Sequence, residues 1–254
     1  MSYPPDEHVL RDLRIESWLE AEDHSVAELP VVDAVLDRSG AAALGVLVTL
    51  VDIACARVAF RGVHPHWLAT ADLSLSLAEP LPVGATARAE AWMLKAGSKL
   101  VSVAVDLGRA GRGVATFARI PREASLVDRP LPQVGERMTM PASGPPLERH
   151  VIQRMGMRHT EGGAVLDMHE YVSNSFGTIN GGVLGFLVTA AAEDATGGVG
   201  SDVTLRYVGQ TKVGPALARA TVIRSDVCEV RVVDRGNGDA LLATAMVSTA
   251  RAAD

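Results

Sequence analysis

The chain has 254 residues, of which 48% are hydrophobic, so it can bury a full core as one large domain or as two of ordinary size. Its formal net charge of −6 argues against nucleic acid as the principal partner, because phosphate-binding proteins usually present a basic face. The longest apolar run, residues 41–56, is too short to span a membrane, and the N-terminus lacks a signal pattern, so we predict a soluble cytoplasmic protein with no membrane partner.

The first half of the chain has the pattern of a buried helix followed by four strands. Residues 9–28 are charge-rich with scattered apolar positions and predict an edge strand or a short helix. Residues 41–60 are apolar nearly all the way round a helical wheel, as in a fully buried helix. Apolar alternation and glycine-containing turns then predict strands at residues 70–78, 86–95, 99–109 and 113–120.

The second half repeats this order after a non-periodic stretch. Residues 121–146 are rich in proline and charge, which is typical of a linker. Strand character over residues 163–172, a loop at 174–182 and an apolar helix at 182–195 follow. Further strands are predicted at residues 201–208, 216–222, 229–234 and 241–250.

Constant sequence offsets indicate that the two halves are a duplication. Asp72 and Asp202 both open an alternating strand and lie 130 residues apart, whereas the helical positions Gly45 and Gly182 lie 137 apart. The offset of 130 also links the turns at 82–84 and 212–214 and the segments at 115–117 and 245–247. Each unit is domain-sized, and a long helix followed by four strands predicts an α+β fold in which an antiparallel sheet wraps around the helix.

The loop before the second helix carries a motif, Asn174-x-x-Gly177-x-x-Asn180-Gly181-Gly182. This motif closely resembles the signature of hotdog-fold acyl-CoA thioesterases of the PaaI-like branch, where the loop is Asn-x-x-Gly-x-x-His-Gly-Gly. In that family an acid follows nine residues after the His, and a Ser or Thr lies eighteen residues after the acid. The resemblance extends over nearly the whole chain.

The resemblance implies two hotdog units in tandem, residues 1–122 and 147–254, joined by a linker at 123–146. In single-unit relatives the site forms between two protomers, one giving the Asn and the glycine backbone and the other giving the acid and the hydroxyl. The second unit retains Asn174 and Gly181, but it has Thr189 at the acid position and Gly200 at the hydroxyl position.

The first unit shows the converse pattern. Asp37 falls at the Asn position and Ala43-Leu44-Gly45 replaces His-Gly-Gly, so this unit is expected to have lost the loop chemistry. It retains Asp52 at the acid position, with Thr70 eighteen residues further on. The motif residues retained by the two units are complementary, so the resemblance implies one complete site per chain. The second, equivalent position lacks these residues and is called the blank site.

Gly181 and Gly182 open a helix, where backbone N–H groups lack intrahelical partners and lie at the positive end of the dipole. Such donors can polarise a thioester carbonyl and stabilise an oxyanion, although a glycine pair can also serve only tight packing. We expect Gly181 to be catalytic and Gly182 to bind substrate. Asn180, which replaces the family's His, is expected to change the orientation of the bound substrate. Asn174 would hold the substrate or fix the loop.

Asp52 is the only charged residue between Gly40 and Ala56. A buried carboxylate is costly without a partner, and a desolvated acid in a cleft is a candidate base or nucleophile. Asp52 would therefore activate a water molecule or attack the thioester directly, and Thr70 would orient that water or hold Asp52. A carboxylate hydrogen-bonded into the core, or one that faces the subunit boundary, is the structural alternative.

Taken together, the resemblance implies a thioester hydrolase that acts on acyl-CoA or aryl-CoA at one composite site. It implies no metal and no cofactor other than the CoA of the substrate, and we expect a homodimer of double-hotdog chains. A non-catalytic acyl-CoA-binding or regulatory protein on the same fold is the alternative, favoured by Asn180 in place of His. A hydratase would need a catalytic His near the acid, and the sequence shows no such pairing.

Overall fold

The computed structural model describes residues 3–121, 130–139 and 149–251. The helices of this part are α1 (Val9–Asp12), α2 (Leu44–Val63), α3 (Val151–Arg154) and α4 (Gly181–Thr196). The strands of the first half are β1 (Glu16–Ala21), β2 (His24–Pro30), β3 (Trp67–Leu77), β4 (Thr86–Ala96), β5 (Leu100–Asp106), β6 (Gly111–Ile120) and β7 (Met138–Thr139). Those of the second half are β8 (Arg158–Thr160), β9 (Gly163–Leu166), β10 (Val199–Tyr207), β11 (Ala216–Arg224), β12 (Val227–Asp234) and β13 (Ala240–Ala250).

All of these strands form one antiparallel sheet, in the order β7-β1-β2-β4-β5-β6-β3-β10-β13-β12-β11-β9-β8. Strands β3 and β10 join the two halves edge to edge. Helix α2 packs against the strands of the first half, and α4 packs against those of the second. The predicted fold class, two units that each wrap an antiparallel sheet around a long helix, is confirmed.

The boundaries of helix α2 and of the strand predicted at 163–172 differ from the structure. Helix α2 begins at Leu44, because Ala41 and Ala42 form β-bridges. It extends to Val63 and ends where Pro65 disfavours helical geometry in the preceding residue. In the second half, β9 ends at Leu166, and the rest of the predicted strand at 163–172 includes a 3-10 turn at Glu170–Val172. No helix in the described part of the chain is both long and apolar enough to cross a membrane.

The pairing of β3 with β10 shows that the two units are related by an approximate two-fold axis. Ser74 pairs with Thr204 at the centre, while Asp72 pairs with Arg206 and Ser76 pairs with Asp202. The offset of 130 residues exchanges the two outer pairs and relates the two members of the central pair to each other, so the pairing is symmetric. The predicted offset is therefore confirmed for this strand.

The same symmetry appears where the two long helices cross. A Cβ atom added at Gly45 would lie 2.8 Å from the Cα of Phe186, and one added at Gly182 would lie 2.8 Å from the Cα of Thr49. The helix offset of 137 relates Gly45 to Gly182 and Thr49 to Phe186, so the two contacts are reciprocal. Glycine at these positions allows the backbones of α2 and α4 to touch.

The expectation that the offset of 130 continues into the last strand is wrong. Thr70 pairs with Phe117, and its equivalent Gly200 pairs with Thr249, so the offset there is 132. A β-bulge follows both Thr70 and Gly200, which fixes their equivalence. Hairpin tips can gain or lose residues without disturbing the buried pairs, and this changes the offset.

The repeat also includes the short helices that begin each unit, where the sequence predicted an edge strand or a short helix over residues 9–28. His8 caps α1, and its Nε2 atom lies 2.7 Å from the carbonyl oxygen of Ser173. His150 caps α3, and its Nε2 atom lies 2.6 Å from the carbonyl oxygen of Leu36. Each histidine thus ties its own unit to the other one.

Part of the predicted linker packs against the first unit. Strand β7 pairs with β1, and the guanidinium of Arg57 donates a hydrogen bond to the carbonyl oxygen of Glu136 at 2.8 Å. The predicted limits of the units, at residues 122–123 and 146–147, lie outside the described residues and stay predictions.

Substitution Gly45→Ala tests the helix crossing. The added methyl group would meet the backbone of Phe186, which cannot move aside locally, so we expect the free energy of unfolding to fall by roughly 1–3 kcal/mol. Gly62→Ala, in the same helix α2, is the matched control, because its methyl group would meet only the flexible end of Met93 on β4. Thermal unfolding should show a lower midpoint for Gly45→Ala alone. Equal midpoints would contradict the close crossing.

Candidate active site

A cavity of about 710 Å³ lies between the two units. It is lined by residues of α2 and β3 from the first unit, and by residues of the loop before α4 and the start of α4 from the second unit. Five of the six residues that the sequence predicted are brought together there, namely Asp52, Thr70, Asn174, Asn180 and Gly181. The sixth, Gly182, is not part of the lining.

Asp52 lies on α2 with 8% of its surface exposed. The hydroxyl of Thr70 donates a hydrogen bond to its Oδ1 atom at 2.8 Å, and no other described residue donates to the carboxylate. Burial raises the pKa of Asp52 to about 6, although the hydrogen bond from Thr70 lowers it. The carboxyl group can therefore exchange a proton close to neutral pH.

Of the two glycine N–H groups at the start of helix α4, one donates a hydrogen bond within the described part of the chain and the other does not. Asn180 is its N-cap, and the Oδ1 atom of Asn180 accepts a hydrogen bond from the N–H of Gly182 at 2.9 Å. The predicted substrate-binding donor at Gly182 is thus already paired. The N–H of Gly181 has no acceptor among the described residues, and Gly181 lines the cavity at the positive end of the helix.

Asn174 shapes the loop that leads to α4. Its Oδ1 atom accepts hydrogen bonds from the N–H groups of Phe176 and Thr178, at 2.9 and 3.3 Å. Asp37 holds the first unit's loop in the same way, accepting from the N–H of Ser39 at 2.7 Å. The first unit has therefore kept the loop's shape, and the loop-fixing alternative for Asn174 has direct support.

The blank site of the other half is filled by a side chain. Leu44, at the position equivalent to Gly181, is buried, and a Cβ atom added at Gly200 would lie 2.9 Å from its Cδ2 atom. Thr189, at the position equivalent to Asp52, donates its hydroxyl hydrogen back to the carbonyl oxygen of Gly185 at 3.0 Å. This half thus offers neither an acid nor a free glycine amide at the equivalent positions.

Tyr207 on β10 is a cavity residue that the sequence analysis missed. Its hydroxyl donates a hydrogen bond to the carbonyl oxygen of Gly181 at 2.9 Å. Burial, together with the negative charge of Asp52, raises the pKa of Tyr207 well above its ordinary value, so the phenol stays protonated. The equivalent residue of the first unit is Leu77, and this difference between the halves is the signal that could have found it.

Aromatic rings form much of the cavity wall. The ring centroids of Phe60 and Trp67 lie 5.2 Å apart, and those of Trp67 and Phe176 lie 5.9 Å apart. Six of the ten aromatic residues of the chain line this cavity, so its wall suits an apolar group. Within the described ranges, no three His, Cys, Asp or Glu side chains are grouped closely enough to hold a metal ion.

Comparison with known proteins agrees with this architecture. Residues 40–116, which span α2 and most of β3 to β6, match the family model described as the thioesterase superfamily. A search of curated protein sequences returned no significant match.

Solved structures cover nearly the whole chain. An acyl-ACP thioesterase from Bacteroides thetaiotaomicron is 14% identical, with a TM-score of 0.62 over 89% of this chain and 98% of the other. A TesB protein of Mycobacterium avium subspecies paratuberculosis is 12% identical, with a TM-score of 0.60 over 94% and 96%. The chain has the double hotdog fold. The family-model match confirms the resemblance to hotdog-fold thioesterases at the level of the superfamily, whereas the PaaI-like branch stays a prediction.

Substitution Asp52→Asn tests the burial of an ionised carboxylate. Because the pKa of Asp52 is raised from 3.8 to about 6 in the folded protein, the folded state binds a proton more tightly than the unfolded state. The free energy of unfolding therefore falls as the pH rises from 3.8 to about 6. Above this range the ionised carboxylate lowers it by the full amount, roughly 3 kcal/mol. We expect Asp52→Asn to be more stable than the original protein at pH 8, with the difference vanishing near pH 4, as measured by urea unfolding.

Asp234→Asn is the matched control. Asp234 is fully buried, but its carboxylate accepts hydrogen bonds from the N–H groups of Lys212, Val213 and Gly214 at 2.7–3.1 Å. Burial raises its pKa, and the backbone donors outweigh this effect, so the net shift is downward. Asp234→Asn should destabilise the protein at pH 8. If Asp52→Asn were instead less stable than the original protein at pH 8, the buried Asp52 carboxylate would not be destabilising, which would contradict the prediction.

Proposed function

We propose that this protein is an acyl-CoA thioesterase that hydrolyses an acyl-CoA or aryl-CoA at one composite site. The observation that carries the proposal is the shared cavity, which takes the Asp52–Thr70 pair from one unit and the Gly181 N–H from the other. An acid and a backbone donor that line the same, mostly apolar cavity are the groups that acyl transfer to water needs.

The N–H of Gly181 would bind the thioester carbonyl oxygen. It is a fixed donor at the positive end of α4, so it stabilises the negative charge that develops on this oxygen in the transition state. Removing one such donor typically lowers kcat by about 10²–10³-fold. In this role Gly181 acts through its backbone, and a Cβ atom at this position would lie in ordinary contact with the Tyr207 ring, at 3.5 Å.

Asp52 would supply the base. Its carboxylate takes a proton from a water molecule as the water oxygen attacks the carbonyl carbon, and the C–S bond then breaks to release the acid and the CoA thiol. Direct attack by the carboxylate would instead break the C–S bond, expel the CoA thiolate and form a mixed anhydride. Water would then hydrolyse the anhydride, which frees the acid, restores the carboxylate and supplies the proton that the thiolate takes up. In both routes Thr70 holds Oδ1 at 2.8 Å, which leaves the second oxygen for the reaction.

The aromatic wall supports an apolar acyl or aryl group as the part of the substrate that is recognised. Two of the similar structures are an acyl-ACP thioesterase and a 12:0-ACP thioesterase, so both carriers belong in the test. The homodimer of chains and the cytoplasmic location stay predictions from the sequence.

Thiol release from a panel of short, medium, long and aryl acyl-CoAs, and from acyl-ACPs, tests the proposal. We expect turnover by the original protein and a loss of at least about 100-fold in Asp52→Ala. Because the reaction needs the Asp52 carboxylate, kcat should fall as the pH drops below about 6.

Thr189→Val is the control for this experiment, since it changes the equivalent position in the blank site and should leave kcat unchanged. If no thioester is hydrolysed but acyl-CoAs still bind, the hydrolase proposal fails and the non-catalytic acyl-CoA-binding alternative replaces it. A preference for acyl-ACP would retain the chemistry and correct the carrier.

The filled blank site predicts the binding stoichiometry. Calorimetric titration of Asp52→Asn with an acyl-CoA that the original protein hydrolyses should give one binding site per chain, because Leu44 occupies the second position. Two equivalent sites per chain would contradict the assignment of a blank half.

A further inference from the structure

The peptide group between Gly181 and Gly182 is held at both of its polar atoms. Its carbonyl oxygen, on Gly181, accepts a hydrogen bond from the Tyr207 hydroxyl at 2.9 Å. Its N–H, on Gly182, donates to the Oδ1 atom of Asn180 at 2.9 Å. Two side chains from different elements, β10 and the start of α4, thus fix one peptide plane.

This peptide adjoins the one that carries the proposed catalytic donor. The N–H of Gly181 belongs to the preceding peptide, and the two planes meet at the Cα of Gly181. Glycine lacks a Cβ atom and rotates more freely than any other residue, so a glycine pair at a helix start does not define the donor's direction by itself. Fixing the second plane restricts the rotation that would turn the Gly181 N–H away from the cavity.

The blank half provides an internal comparison. Ala43 takes the place of Asn180 and makes no side-chain cap, and Leu77 takes the place of Tyr207 and has no hydroxyl group. Both side-chain contacts to the peptide are therefore missing where Leu44 replaces Gly181. Of the two equivalent helix starts, both in the described part of the chain, the one that presents the glycine amide has the two contacts and the other has neither.

We propose that Tyr207 is a positioning residue, which together with Asn180 holds the Gly181–Gly182 peptide so that the Gly181 N–H points at the substrate carbonyl oxygen. The inference rests on the proposed thioesterase function. The high pKa of Tyr207 is consistent with a permanent hydrogen-bond donor rather than an acid that ionises.

Tyr207→Phe is the direct test, because it keeps the ring that packs against Gly181 and removes only the hydroxyl. We expect kcat to fall about 10-fold, with KM and the affinity for free CoA changed less than twofold, since the donor acts mainly in the transition state. The fall in kcat below about pH 6 should not move, because the phenol donates to Gly181 and not to Asp52.

Tyr171→Phe is the matched control. Its hydroxyl donates to the Oδ2 atom of Asp12 at 2.8 Å, and Tyr171 lies outside the cavity lining. Both variants lose one phenol hydrogen bond, so their unfolding midpoints should change similarly, whereas only Tyr207→Phe should lower kcat. An equal effect of both on kcat would overturn the inference, and so would an unchanged kcat in Tyr207→Phe.

A double-mutant cycle with Asn180→Ala tests whether the two side chains act on the same peptide. Each single variant should lower kcat about 10-fold. The double variant should lower it by clearly less than the product of the two single effects, because the loss of either hydrogen bond already frees the Gly181–Gly182 peptide to rotate. Independent, multiplicative losses would show that Tyr207 acts elsewhere.

The two proposals fail in different ways. If the original protein hydrolyses no thioester, the function itself is wrong. If the original protein is active and Tyr207→Phe matches it in kcat, only the positioning role is wrong. A shift of the pH profile in Tyr207→Phe would assign the phenol to proton transfer and would overturn the positioning role.

Discussion

The contact between α2 and α4 is the constraint on which the rest of the structure depends. Where Gly45 and Gly182 face the opposite helix, the backbones approach to a distance that no side chain at these positions would permit. That approach places Asp52, seven residues along α2 from Gly45, beside the start of α4. Thr70, on β3 of the same unit, reaches Asp52 from the sheet side.

The two halves then differ in what they place at equivalent positions. At the candidate site, a glycine amide, a buried carboxylate and a tyrosine share one cavity. At the blank site, Leu44, Thr189 and Leu77 take their places, and these side chains are compatible with a packed core. A buried charge and an unpaired amide both lower stability, so a chain that needs one site gains stability by filling the other.

The sequence predicted the duplication and the long helices, because buried helices and repeated offsets leave strong periodic signals. The resemblance of the loop motif to that of hotdog-fold thioesterases predicted five of the cavity residues. The pairing of the Asn180 side-chain oxygen with the Gly182 N–H was not among the predictions, although asparagine is a preferred N-cap residue and Asn180 directly precedes the helix. Asp37 looked like a loss, yet its carboxylate makes the same loop contact as Asn174. Tyr207 lies at the end of a strand that was predicted from its alternating pattern, and this pattern carries no information on the contact of its hydroxyl with the Gly181 carbonyl oxygen.

The fusion of the two units has a consequence for how the site assembles. In a dimer of single units, a composite site exists only while two molecules are associated, so it is lost on dilution. Here both contributors belong to one chain, and the partner is present at a fixed, high effective concentration. Assembly of the site is thereby a step in the folding of a single chain. The two units are also free to diverge, since neither must complement a copy of itself.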